Sequence, residues 1–87
     1  MFINKTGNGK NNRCGEQLAQ LRMKEGWSQR KLADMLQLKG LDIDKNAIQR
    51  IEAGKRFVTD IELVFFADLF QVSFEFLLDI DRSSEDL

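Results

Sequence analysis

The chain has 87 residues, enough for one modest core and too few for a ligand-sensing domain beside it. A single cysteine and no histidine exclude an internal disulfide and the usual zinc ligand sets, so neither metal nor cofactor is expected. The net charge of −1 argues against indiscriminate binding to polyanions, yet it conceals two halves of opposite sign: +6 through Arg56 and −7 beyond it, where Arg82 stands alone among eight carboxylates. No run of about 18 apolar residues could span a bilayer, and Met1-Phe-Ile-Asn-Lys lacks the apolar h-region of a secretory signal. A cytoplasmic protein is expected.

In chain order, residues 1–13 are rich in Asn, Gly and Lys and have little to bury, so an arm that is flexible or loosely docked is expected. Cys14 reads as a small buried hydrophobe. A helix over 15–25 places Leu18, Leu21 and Arg22 along one side, with Ala19 available for close packing, and Gly26 stops it. Four further helices are predicted over 29–37, 45–53, 60–70 and 74–80, each opened by the same local device. An apolar residue precedes a capping residue, and a second apolar residue follows four positions after the cap: Trp27/Ser28/Leu32, Ile43/Asp44/Ile48, Val58/Thr59/Leu63 and Val72/Ser73/Leu77. Thr59 and Glu62 also have capping-box spacing, and Gly54 supplies the stop after the third helix. Residues 14–80 thus form one all-α domain, and 81–87 an acidic tail.

The third helix is the informative one. Ile48 and Ile51 give it an apolar inner face, while Lys45, Asn46, Gln49 and Arg50 project from the other side at 100° per residue. Arg can pair with guanine O6 and N7, and Asn or Gln with adenine N6 and N7, in a major groove. Lys45 suits either base or phosphate, and Gln49 lies toward the side of the face. The bland reading of the same residues is a solvated surface helix. In the arm, Lys5, Lys10 and Arg13 would suit phosphate or minor-groove contact, and an idle tail fits equally well.

Taken together, Leu21-Arg-Met-Lys-Glu-Gly-Trp-Ser-Gln-Arg-Lys-Leu-Ala-Asp-Met-Leu36, Asn46-Ala-Ile-Gln-Arg-Ile-Glu-Ala-Gly-Lys-Arg56 and Leu63-Val-Phe-Phe-Ala-Asp-Leu-Phe-Gln-Val-Ser73 resemble the lambda-repressor-like (Cro or xenobiotic-response-element type) helix-turn-helix domains of phage and bacterial regulators. The likeness spans residues 14–78, and its most specific part combines Ser28-Gln29, Leu32-Ala33 and Ile48-x-x-Ile51-Glu52-x-Gly54-Lys55. The resemblance implies a compact five-helix fold with helices two and three as the helix-turn-helix. It implies base contacts from Lys45, Asn46 and Arg50, with Gln49 a weaker candidate, and a phosphate held by Gln29 at a helix N-terminus. Arg22 and Glu52 match an interhelical ion pair that could orient Arg22 toward the DNA backbone, and Lys55 and Arg56 match a loop that contacts phosphate through side chains and backbone N–H groups. One departure stands out. About five extra residues, within Leu38-Lys-Gly-Leu-Asp-Ile43, enlarge the turn. Either helix two runs on and Gly40 lets the chain double back over Leu41 and Ile43, or Lys39 touches phosphate from the larger loop.

The C-terminal part holds more apolar surface than one small core needs. Leu63, Phe66, Ala67 and Phe70 form a core stripe, yet Ile61, Val64, Phe65, Leu69, Phe74 and Phe76 add to it. A twofold homodimer through Phe65, Leu69, Phe74 and Phe76 would cover this surplus, as would closure within a monomer. The expected function is sequence-specific binding of double-stranded DNA as a dimeric transcriptional repressor. The alternative is an interaction module or antitoxin-type partner that engages another protein, such as a toxin or antirepressor, through its C-terminal aromatics. No catalytic constellation emerges, so an enzyme is not expected.

Overall fold

Four caps set the architecture. Ser28 Oγ accepts from Lys31 N–H (3.0 Å), Asp44 Oδ1 from Ala47 N–H (2.8 Å), Thr59 Oγ1 from Glu62 N–H (3.1 Å) and Ser73 Oγ from Phe76 N–H (3.1 Å). All four capping residues have extended backbone, as a residue that leads into a helix without joining it must. The computed structural model, which describes residues 6, 7 and 9–80, contains α1 (Gly15–Lys24), α2 (Gln29–Leu38), α3 (Lys45–Glu52), α4 (Asp60–Phe70) and α5 (Phe74–Leu77), with no strand among the described residues. Lys5 and the acidic tail 81–87 lie outside the described residues. No described helix is long and apolar enough to cross a membrane.

Every helix contributes to one core of Cys14, Leu18, Leu32, Ala33, Leu36, Ile43, Ile48, Ile51, Phe66 and Leu77. Of the stripe expected on α4, Phe66 is fully buried, while Leu63, Ala67 and Phe70 are half-buried against the core. Trp27 packs beside Phe70 with ring centroids 5.7 Å apart, closing the entrance to α2 onto α4. The α3 helix lies against both α1 and α2, which leaves its remaining side toward solvent.

The enlarged turn takes the first of its two expected forms. Helix α2 runs one residue beyond the predicted end, and Gly40 adopts φ +105°. There Gly40 N–H donates to Gln37 O and Leu41 N–H to Leu36 O, both at 3.0 Å, so the last carbonyls of α2 are satisfied as the chain reverses. Ile43 is buried, Leu41 is half-buried, and Gln37 Nε2 clasps Ile43 O at 2.7 Å. Of the apolar side chains in the turn, Leu38 alone stays out, 81% exposed.

One expected boundary is corrected. Helix α5 ends at Leu77 rather than at residue 80, because Asp79 turns left-handed (φ 56°) and Asp79 and Ile80 N–H groups fold back onto Phe76 O and Glu75 O. The end of the arm is also docked. Asn11, Asn12 and Arg13 have little apolar surface, but they hold to the domain through hydrogen bonds to backbone carbonyls. Asn12 Oδ1 also accepts from Gly15 N–H (2.8 Å), which gives α1 a cap that Cys14, with no side-chain cap bond, does not.

Candidate nucleic-acid interface

On α3 the burial of Ile48 and Ile51 fixes the rotation of the helix, and everything on its outer side follows. At 100° per residue, Lys45, Asn46, Gln49 and Arg50 occupy an arc of about 140° centred nearly opposite the two isoleucines. All four are exposed, and none of their side chains makes a hydrogen bond or ion pair among the described residues. Asp44 caps this helix at its base, accepting Ala47 N–H on its side chain and Ile48 N–H on its carbonyl, so the four side chains rise from a helix whose start is fixed.

Behind the arc lies a polar network. Arg22 Nε and Nη2 donate to Glu52 Oε2 (2.7 Å) and Oε1 (3.0 Å), Arg22 Nη1 donates to Trp27 O (2.7 Å), and Gln29 Nε2 donates to Glu52 Oε1 (2.9 Å). The side chains of Arg22 and Glu52 are 14% and 7% exposed, so the pair is shielded from salt, and the bidentate fork ties α1 to the last turn of α3. Gln29 joins this cluster through one amide hydrogen and keeps the other. The Arg22–Glu52 pair is legible in the sequence, whereas the Gln29 link is not, because it depends on how α2 is placed over α3.

A groove between α2 and α3 is lined by Arg30, Ala33, Asp34, Gln37, Asp44, Lys45 and Asn46. Arg30 was not among the expected site residues. Its signal was available, since 30, 33, 34 and 37 have the spacing of one helix face.

After α3 the chain makes a tight exit. Gly54 N–H donates to Ile51 O and Lys55 N–H to Arg50 O, both at 2.9 Å. Lys55 is exposed, whereas Arg56 sends its guanidinium to Glu62 through two bonds of 3.0 and 2.9 Å. Burial pulls the Glu62 carboxyl upward, but the Arg56 guanidinium and the Thr59 N–H and hydroxyl side of the capping box outweigh it and hold Glu62 below its ordinary value. The same hydrogen bond raises Arg56. Lys39, on the enlarged turn, pairs with Asp68 of α4 at 2.6 Å. Burial pushes the Cys14 thiol up to about 11, as expected of a packing residue rather than a nucleophile.

On the far part of the chain, Phe65 and Leu69 are half-buried against the core, while Phe74 and Phe76 are 49% and 44% exposed. Ile61 and Val64 of α4 and Phe57 before it are exposed as well. Among the described residues no group of His, Cys, Asp and Glu side chains could hold a metal ion. A helix-turn-helix family model matches residues 18–77, which covers α2, α3, α4, α5 and most of α1. Searches of curated proteins and of solved structures return no match.

Proposed function

The chain belongs to the lambda-repressor/Cro-like helix-turn-helix family of DNA-binding transcription regulators, and from that premise we propose that it is a sequence-specific repressor acting as a dimer on a near-palindromic operator. The observation that carries this reading is the outer arc of α3, whose Lys45, Asn46, Gln49 and Arg50 side chains have no partners within the described protein and stand on a helix that cannot rotate. In this reading α3 enters the major groove, where Asn46 and Arg50 pair with base edges while Lys45 and Gln49 flank them. Lys55, Arg30 and the second amide hydrogen of Gln29 hold phosphates and set the register. The guanidiniums of Arg22 and Arg56 serve by holding the scaffold, since each is committed to a carboxylate. Lys39, facing Asp68, stands outside the interface.

Dimerisation is supported by the aromatic surface of α5. Phe74 and Phe76 leave large apolar area in water, and a second copy would cover it, with Phe65 and Leu69 packed beneath. Twofold symmetry then sets two α3 helices about 34–36 Å apart, one turn of DNA. Repression follows from occupancy, the polymerase being blocked by a bound protein rather than by chemistry.

Selection of bound fragments from a random DNA pool tests the proposal. Enrichment of an inverted repeat with half-sites one helical turn apart is expected. Recovery of no common sequence would overturn specific recognition, and a lone half-site would overturn the dimer.

A further inference from the structure

We propose that Asn12, with Asn11, is a positioning residue for the loop after α3: it turns the loop's carbonyls inward and thereby aims the backbone N–H groups of Arg56 and Phe57 outward as phosphate donors. The inference rests on the DNA-binding reading above and assigns part of its affinity to a segment that precedes α1.

This segment, residues 10–13, is a strap that meets the loop through a consecutive set of contacts. Asn11 N–H donates to Gly54 O (2.8 Å) and Asn11 Nδ2 to Lys55 O (3.0 Å), while Asn12 Nδ2 donates to both Ile51 O (3.1 Å) and Arg56 O (2.8 Å). The carbonyls of Gly54, Lys55 and Arg56 therefore all face the strap. In a trans peptide the N–H of the next residue points opposite to the carbonyl. The N–H groups of Arg56 and Phe57 accordingly face away from the strap, and neither has an acceptor among the described residues, while Lys55 N–H, needed to close α3, stays bound to Arg50 O. Two adjacent N–H donors beside the exposed Lys55 side chain are a donor set of the type that holds an anion.

Two further contacts anchor the strap. Lys10 pairs with Glu16 of α1, and its side chain covers Gly54. Arg13 donates from Nε to Leu78 O (2.8 Å) and from Nη2 to Asp79 O (3.1 Å), so the strap also spans to the end of α5. The loop is thus held from the side opposite the proposed DNA, by side chains bonded to the protein itself.

The experiment compares the full chain with Asn12→Ala and with Asn12→Ser, a neutral change that retains an acceptor for Gly15 N–H and so spares the start of α1. Amide hydrogen exchange without DNA should accelerate about tenfold at Asn11, Gly54 and Lys55 in both variants, with α4 amides unchanged. On DNA, affinity for selected and for random fragments should fall together by about tenfold, their ratio staying within about twofold, while the slope of log K against log salt keeps its wild-type value because the lost donors are uncharged and release no counterions. Unchanged exchange at the three amides overturns the inference, as does wild-type affinity in both variants. A purely structural role would instead raise exchange across all helices, α4 included. A wild-type chain that binds no DNA overturns the parent reading, and this is distinguishable because the exchange comparison needs no DNA.

Discussion

An ideal Cβ on Gly15 would come 2.2 Å from the Ile51 carbonyl oxygen, so only glycine lets α1 sit this close to the end of α3. Backbone cannot swing aside as a side-chain tip can. Gly15→Ala is expected to lower the unfolding free energy by about 2–4 kcal/mol, read from urea denaturation, by forcing these helices apart. At Glu62 the prediction concerns pH. Its folded carboxyl titrates below the unfolded one, so its contribution is complete above the ordinary carboxylate range and is lost as pH falls through the depressed value. Glu62→Gln should therefore cost about 1–3 kcal/mol at neutral pH, and its melting curve should converge on that of the wild type in acid. Single residues are also where the sequence was least transparent. Lys45, Asn46, Gln49 and Arg50 were legible because helical periodicity alone puts them opposite Ile48 and Ile51. The partners of Arg56, Gln29 and Lys39 were not, because each lies on a different element and the pairing depends on tertiary placement.

At the scale of elements, the caps explain why the fold could be read so far in advance. A cap, a staple and a stop involve residues within five positions of one another, so their chemistry is present in the sequence before any tertiary contact forms. Asp44→Ala, which removes the acceptor of Ala47 N–H at the base of α3, is expected to cost about 1 kcal/mol in thermal or urea unfolding. The start of α1 shows the limit of this reading. Its cap comes from Asn12, two residues ahead of the formal N-cap position, and the Asn-rich run looked like a tether rather than a set of carboxamides matched to carbonyls on α3 and its exit loop. The short α5 shows another, since a left-handed Asp79 ended a pattern whose apolar spacing continues to Ile80.

Over the whole molecule, the charge division and the apolar surplus assign different tasks to the two parts of the chain. The basic part carries α3 and its exit loop; the acidic part carries the exposed aromatics of α5. Phe74→Ser with Phe76→Ser is expected to convert a dimer to a folded monomer in sedimentation equilibrium, and a chain that is already monomeric at concentrations well above its DNA affinity would contradict the assembly. The helical class was legible from spacing and the family from the resemblance of its motifs, whereas the covering of the aromatic surface was not, because nothing within one chain specifies what meets it. The central claim is that the outer face of α3 reads bases. Its most direct measurement is the binding of Asn46→Ala and Arg50→Ala to the selected operator and to random DNA at one salt concentration. Each change should weaken operator binding by about 1–3 kcal/mol and random binding by much less. Equal losses on both DNAs would mean that these side chains do not read sequence.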